Sequence, residues 1–167
     1  MASERAAGSR AGVRLAVDVG EARVGLAASD PDALLATPVM TLRRDQNRGS
    51  DQRMLVKIAR ERGARVVYVG LPLSLSGAET ASTQKARDYA QALAARLAEP
   101  DDAEVRLIDE RLSTVSAASK MRAAGVEAKD QRSSIDQAAA VEILTHALEV
   151  RSSLDREPGT AVPPPAG

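Results

Sequence analysis

The order of apolar and polar positions along the chain predicts strands first and an alternation of strands and helices afterwards. β-Branched residues dominate residues 13–19, and a second apolar run over 23–29 follows a short polar connection, which is typical of a β-hairpin. Apolar residues then recur at helical spacing over 51–62 and 80–98. In full, the pattern predicts strands over residues 13–19, 23–29, 39–42, 65–69 and 104–108, and helices over residues 51–62, 80–98, 113–124 and 134–150.

This order of elements defines the expected fold class. A hairpin meander followed by strand–helix units implies parallel strands with right-handed crossovers, and hence an α/β fold with a mixed sheet flanked by helices. The 167 residues fit one domain, which we place at residues 13–151. Residues 1–12 and the Pro-rich residues 152–167 lack a pattern that could bury surface, so we expect a disordered arm and a disordered tail there.

Composition narrows the classes of function. The formal net charge is zero, so any nucleic-acid partner would need a local basic patch. The absence of cysteine excludes disulfides, thiolate metal sites and cysteine nucleophiles. No apolar run approaches the roughly 20 residues that span a bilayer, and the first residues do not form a secretory signal. We therefore expect a cytoplasmic protein without membrane association.

Three carboxylates lie where predicted elements meet loops. Asp18 ends the first strand, Glu110 follows the last strand with Asp109 beside it, and Asp136 lies in the first turn of the last helix. Each alone has a structural explanation, as a turn former or as a partner of the helix dipole. Ligands of open α/β sheets gather at the carboxyl ends of strands, however, and crowded carboxylates repel unless a divalent cation such as Mg²⁺ or Mn²⁺ joins them. The sequence therefore indicates a candidate metal site.

Two glycine-containing turns are candidates for phosphate-binding loops. The turn at residues 18–25 suits a tight hairpin, and it also suits close approach of a phosphate with Arg23 as a charge partner. Its spacing leaves both interpretations open. Residues 70–77 connect a strand to a helix but lack the Lys-Ser/Thr of a Walker A loop, which disfavours a nucleotide-binding P-loop.

Five short segments in sequence order carry a resemblance to a known family. They are Asp18-Val19-Gly20 with Arg23 and Gly25, Ala36-Thr37-Pro38, Val69-Gly70-Leu71-Pro72 with Gly77, Asp109-Glu110-Arg111-Leu112-Ser113-Thr114, and Asp136-Gln137-Ala138-Ala139-Ala140. Together they resemble the YqgF/RuvX family of pre-16S rRNA nucleases, also described as Holliday-junction-resolvase-like proteins, within the ribonuclease-H-like superfold.

The resemblance implies both a fold and a site. The fold would be a five-stranded mixed sheet, its first three strands antiparallel, with helices on both faces. The site would be a catalytic triad of Asp18, Glu110 and Asp136 that binds two Mg²⁺ or Mn²⁺ ions. Alternation along the strand leaves Asp109 and Glu110 equivalent, and only the family pattern selects Glu110. Arg23 and Arg111 would contact substrate phosphates.

The resemblance also implies a reaction, the hydrolysis of nucleic-acid phosphodiesters, with the 5′ end of pre-16S rRNA in ribosome biogenesis as the leading substrate. One alternative is resolution of Holliday junctions in branched DNA, which would require a homodimer to cut symmetrically. Another is a non-catalytic member that binds RNA or protein. Actin-like and sugar-kinase ATPases share the superfold and an Asp-x-Gly hairpin, but they hold nucleotide between two such domains, whereas this chain predicts one.

Overall fold

The structure, a computed structural model, describes residues 11–110 and 128–165. Within these residues the chain forms six strands and three helices. Their bounds are β1 Arg14–Val19, β2 Arg23–Ser29, β3 Ala36–Arg43, α1 Ser50–Glu61, β4 Val66–Leu71, α2 Ala81–Arg96, β5 Glu104–Asp109, α3 Ala128–Leu154 and β6 Thr160–Val162. The predicted helix over residues 113–124 lies outside the described residues.

The strands form one mixed sheet in the order β3-β2-β1-β4-β5-β6. The first three strands are antiparallel to one another in sequence order, β1, β4 and β5 run parallel, and β6 is antiparallel to β5. The mixed α/β sheet with three antiparallel strands at its start is thus confirmed. The expected number of five strands is wrong, because residues Thr160–Val162 add a sixth at the edge of β5.

Apolar side chains form a core on each face of the sheet. One core lies under α1 and α2 and includes Val17 and Val69, whereas the other lies under α3 and includes Ala16 and Tyr68. Successive residues of a strand point to opposite faces, so both faces of the central strands are apolar. Helices cover both faces of the sheet, as expected.

Local signals explain where the helices begin and end. Thr80 and Thr83 form a capping box that starts α2. Helix α3 is longer than the predicted 134–150, because residues 128–133 contain no proline or glycine and the left-handed Asp155 ends the helix only after Leu154. Among the described residues, no helix is both long and apolar enough to cross a membrane.

Residues 155–162, here called the C-terminal strap, return along the sheet after α3. The Glu157 carboxylate accepts hydrogen bonds from the guanidinium of Arg14 and the hydroxyl of Tyr68. The Arg106 side chain donates to the carbonyl oxygens of Pro158 at 2.7 Å and Gly159 at 2.9 Å. For this segment the expectation of a disordered tail is wrong. The contacts that place the strap come from strands far away in sequence, so composition could not reveal them.

Candidate active site

Asp18 occupies the carboxyl end of β1 on the face covered by α3. Ala16, two residues earlier, lies in the core under α3, so alternation along the strand directs Asp18 to the same side. The antiparallel register pairs Asp18 with Gly25 of β2, and the parallel register that pairs Val17 with Val69 places Gly70 of β4 at the level of Asp18. Asp18 is therefore flanked by glycine on both neighbouring strands.

Gly25 brings α3 against the sheet at Asp136, eight residues after the helix begins at Ala128. A Cβ atom at Gly25 would lie 2.0 Å from the carbonyl oxygen of Asp136 and 3.0 Å from the amide nitrogen of Gln137. Real Cβ atoms do not approach backbone so closely, so only glycine permits this contact between strand and helix. The backbone of Asp136 thereby comes to rest over β2, next to the strand that carries Asp18.

Gly70 has the corresponding role on the other side of Asp18. Glu110 follows β5, and β4 lies between β5 and β1 in the sheet. A Cβ atom at Gly70 would lie 2.6 Å from Oε1 of Glu110 and 2.6 Å from Cδ1 of Ile143. The Glu110 side chain therefore crosses β4 through the space that a side chain at position 70 would fill, and it comes close enough for its charge to act on the Asp18 carboxyl.

The contact between Asp18 and Glu110 changes the acidity of both groups. Burial, followed by the charge and the hydrogen bond of Glu110 and the charge of Asp136, raises the pKa of Asp18 to about 8. Burial also raises the pKa of Glu110, although its hydrogen bond with Asp18 opposes that shift. Burial and the proximity of the two acids therefore both favour the protonated form of Asp18.

Asp136 is held by an arginine of the hairpin. The Arg23 Nε donates to Oδ2 of Asp136 at 2.9 Å, with 39% of the Arg23 side chain and 20% of the Asp136 side chain exposed. The neighbouring Gln137 donates from Nε2 to Oγ1 of Thr41 on β3 at 3.1 Å. These two side-chain contacts fix α3 to β2 and β3. The first also places the positively charged Arg23 guanidinium beside the acids.

The structure separates Asp109 from Glu110. Ile108 lies in the core under α3, whereas Leu107 lies in the opposite core, so alternation puts Glu110 on the Asp18 side and Asp109 on the other. The charge of Asp109 still contributes to the raised pKa of Glu110. The sheet register thus supplies the distinction that the sequence pattern left open.

The donor set suits a hard divalent cation. Asp18 and Glu110 are in contact and Asp136 is close enough for its charge to act on Asp18, and carboxylate oxygens are the ligands that Mg²⁺ and Mn²⁺ prefer. In residues 11–110 and 128–165, however, no three Asp, Glu or His side chains form a ready-made metal site. Arg23 instead neutralises Asp136. Arg111, the other predicted phosphate contact, lies outside the described residues.

Sequence reasoning identifies Gly25 and Gly70 as motif glycines but misses how they shape this site. The sequence pattern assigns Gly25 both to the hairpin turn and to the second strand, and Gly70 to the loop after the fourth strand, whereas the structure places both inside strands. A glycine within an otherwise β-branched, buried run signals close approach of another group, which is the clue that the sequence did contain.

Comparison with known proteins places this geometry in a family. A family model described as RuvX, Holliday junction resolvase, matches residues 12–150. The chain belongs to the RuvX family.

RuvX relatives match nearly the full length of the chain. One from Clavibacter sepedonicus is 51% identical over 154 residues, covering 92% of this chain and 93% of the relative. Another, from Mycobacterium tuberculosis strain H37Ra, is 52% identical over 140 residues and covers 84% of this chain and 80% of the relative. Both are named as candidate pre-16S rRNA nucleases.

The RuvX chain also shares its fold with a solved structure, Thermus thermophilus RuvC in complex with a Holliday junction substrate. The TM-score is 0.56 at 15% sequence identity, and the match covers 90% of this chain and 99% of the RuvC chain. At this level of identity the match establishes the ribonuclease-H-like fold alone.

Proposed function

We propose that this protein is a metal-dependent nuclease that hydrolyses nucleic-acid phosphodiesters and matures the 5′ end of pre-16S rRNA. The observation that carries the proposal is the convergence of three acids: Asp18 at the carboxyl end of β1, the Glu110 side chain that crosses β4 at Gly70, and Asp136 of α3, which Arg23 of the neighbouring strand holds. The RuvX relatives named as pre-16S rRNA nucleases support rRNA as the substrate.

The acidic residues would hold the cation. Asp18 and Glu110 present oxygen ligands from β1 and from the end of β5, and Asp136 adds a third carboxylate from α3. A pair of divalent ions held by these residues would supply activation of water for attack on phosphorus and stabilisation of the leaving oxygen. The chain positions its ligands before substrate arrives, because Gly25 and Gly70 fix where α3 and the Glu110 side chain lie.

Arg23 supplies a positive charge next to the acids. Its Nε is held by Asp136, and the side chain is partly exposed, so its remaining N–H groups can donate to a phosphate oxygen. Such a contact would orient the substrate backbone over Asp18. Arg23 therefore serves both to fix the helix that carries Asp136 and to receive substrate.

Branched DNA is the second candidate substrate. The family model is described as a Holliday junction resolvase, and the fold matches RuvC bound to a Holliday junction. Symmetric cleavage of a four-way junction requires two active sites related by a two-fold axis, so this alternative demands a homodimer.

A single cleavage assay separates the candidates. Precursor 16S rRNA, a linear duplex and a four-way junction are incubated with the protein and Mn²⁺, and products are mapped on sequencing gels. We expect cleavage of the precursor rRNA that Asp18→Asn abolishes, while filter binding of the same RNA persists. Asp109→Asn is the matched control, because Asp109 points away from Asp18, and it should retain cleavage.

Two outcomes would contradict the proposal. Full activity in Asp18→Asn would remove the metal role from Asp18. Cleavage of the four-way junction in preference to the precursor rRNA would transfer the activity to branched DNA. Calorimetric titration with Mn²⁺ adds an independent readout, because heat of binding should be present in the wild type and reduced in Asp18→Asn.

A further inference from the structure

A groove on the opposite face of the sheet from the acids carries four basic side chains. It lies between α2 and the loop that joins β3 to α1, and its cavity measures about 440 Å³. We call it the basic groove and define it by Arg44, Arg48, Lys85 and Arg96. The sequence pattern singles out none of these residues.

The basic groove is joined directly to the hairpin that carries Asp18. The Arg44 guanidinium donates from Nη1 to the carbonyl oxygen of Gly20 at 3.0 Å and stacks 5.2 Å above the centre of the Tyr89 ring. Lys85 forms an ion pair of 2.7 Å with Glu21 in the turn of the same hairpin. Two side chains of the groove therefore contact the turn that follows Asp18.

Three guanidiniums in the groove are oriented by neutral acceptors or left exposed. Arg44 binds a backbone carbonyl, Arg96 donates from Nε to the amide oxygen of Gln52 at 3.0 Å, and Arg48 is exposed. Among the residues that the structure describes, none of the three forms an ion pair with a carboxylate. Their positive charges therefore remain available to an anion.

The acids that line the groove are engaged elsewhere. Asp45 accepts backbone N–H bonds from Arg48 at 3.0 Å and Ser50 at 3.2 Å. Asp51 is buried and accepts the Tyr89 hydroxyl at 3.0 Å, and Asp88 accepts from the Gln84 side chain at 2.8 Å. These contacts direct the carboxylates into the loop, toward the Tyr89 hydroxyl and along α2.

Arg43 connects the groove to the candidate active site. It is exposed at the end of β3, and the register pairs it with Arg23, which binds Asp136. Paired residues of adjacent strands point to the same face, so Arg43 stands on the side of the acids, whereas Arg44 points to the groove.

We infer that the line Arg23, Arg43, Arg44 and Arg48 binds successive phosphates of the nucleic-acid strand that leaves the acidic site, passes over the end of the β2–β3 pair and enters the basic groove. This inference rests on the proposed nuclease function and adds a path for the substrate. Arginine suits the task because its guanidinium donates to phosphate oxygens in a fixed fork.

The test measures RNA binding in the Asp18→Asn background, where cleavage does not consume the probe. A fluorescent single-stranded RNA of about 12 nucleotides is long enough to reach the groove, whereas a dinucleotide occupies only the acidic site. The variants are Arg43→Glu and Arg48→Glu, both at exposed positions. Arg62→Glu is the matched control, since Arg62 is also exposed and lies at the far end of α1. A DNA of the same sequence forms a second arm.

We expect Arg43→Glu and Arg48→Glu each to weaken binding of the longer RNA by roughly tenfold at low salt. The slope of log affinity against log salt should become shallower by about 0.7 for each phosphate of the single strand that the variant no longer neutralises. Dinucleotide binding should change no more in Arg48→Glu than in Arg62→Glu, and all variants should keep the parent melting temperature.

Failure of the groove and failure of the proposed function give different results. Suppose that wild-type protein cleaves RNA but Arg43→Glu and Arg48→Glu bind it as Arg62→Glu does. The inferred substrate path through the basic groove is then overturned, and the proposed nuclease function is retained. If the variants lose RNA binding but wild-type protein cleaves nothing with Mn²⁺, the groove is supported and the proposed function is overturned. Equal weakening by Arg62→Glu would also overturn the groove, because the effect would then be one of net charge.

Discussion

The two ends of strand β1 differ in the partners of their charged side chains. At its start, Arg14 is only 1% exposed and its charge is matched by Glu157, which also receives the Tyr68 hydroxyl. At its end, Asp18 meets another acid, Glu110, in a buried contact that raises the pKa of Asp18. The first arrangement stabilises the fold, whereas the second costs stability unless a cation arrives. A cluster of acids with fewer counter-charges than carboxylates is thus a better indication of a candidate site than a matched ion pair.

The largest expected effect on stability comes from removing the partner of Arg14 together with the whole strap. Trimming the chain to residues 13–151 deletes β6 and Glu157, which leaves the buried Arg14 without that carboxylate. The sequence pattern alone predicts little change on trimming, but the structure predicts a loss of roughly 10 °C or more in melting temperature. Calorimetry of the trimmed and full chains decides between the two, and an unchanged transition would contradict the role of the strap.

Glu157→Gln isolates the ion pair from the rest of the strap. The amide keeps the shape of the side chain but removes the negative charge beside the buried Arg14 guanidinium, which should cost about 3 kcal/mol of unfolding free energy. Urea denaturation measures this cost. Glu149→Gln, an exposed position on α3, is the control and should change stability very little. Equal effects of the two substitutions would show that the pair contributes nothing specific.

Gly70→Ala tests the other end of β1. The new Cβ would displace the Glu110 carboxylate and Cδ1 of Ile143, and both are ends of flexible side chains. We therefore expect cleavage to fall by about 10- to 100-fold while the unfolding free energy falls by only about 1–2 kcal/mol. Adding Ile143→Val should restore stability without restoring cleavage. Recovery of both stability and cleavage would mean that the defect of Gly70→Ala arises from packing against Ile143 and not from displacement of Glu110.

Gly25→Ala should behave differently from Gly70→Ala. The atom that its Cβ would meet belongs to the backbone of α3 and cannot rotate away. Stability and cleavage should therefore fall together in this variant, as measured by melting and by the rRNA assay, whereas Gly70→Ala separates them. A Gly25→Ala protein that melts like the wild type would show that α3 can shift without cost.

Asp18→Asn should have a small effect on stability, in contrast to its effect on cleavage. Removing one of two mutually repelling acids leaves the melting temperature unchanged or raises the unfolding free energy by up to about 1 kcal/mol. Thermal melts without divalent cations measure this. A strongly lowered transition would mean that Asp18 supports the fold in the way that Glu157 does.

The smallest expected effect on stability concerns Asp45, whose carboxylate accepts hydrogen bonds from backbone N–H groups. Backbone N–H groups, that of Arg48 first, lower the pKa of Asp45 from 3.8 to about 2. A lowered pKa in the folded state stabilises the protein above the unfolded value, so this contribution is lost as pH falls from 3.8 toward about 2. The difference in melting temperature between wild type and Asp45→Asn should narrow over that range. A difference in melting temperature that stays constant with pH would contradict a stabilising role of the ionised Asp45 carboxylate.

Sequence patterns are sufficient for the central elements and for the choice of the acids. The alternation in residues 13–29 and the helical spacing in 51–62 and 80–98 predict elements within a few residues of those observed. Asp18 and Glu110 stand out because each lies at the end of a strand, and their role as metal ligands remains a prediction, as does that of Asp136. The expectation that Asp136 lies in the first turn of its helix is wrong, because α3 begins at Ala128. Local signals of this kind arise from contacts between residues that are near in sequence. A single amino-acid sequence is therefore enough to detect them.

Tertiary structure alone decided the features that depend on distant partners. It assigned Glu110 rather than Asp109 to the side of Asp18, because the face of a strand is defined only once both cores are packed. It gave Gly25 and Gly70 their importance, since the atoms that fill their space belong to residues 136, 110 and 143. It also turned a Pro-rich tail into a sixth strand, because Arg14, Tyr68 and Arg106 hold residues 157–159. Sequence selected the groups that are proposed to carry the chemistry, and packing determined which of them meet.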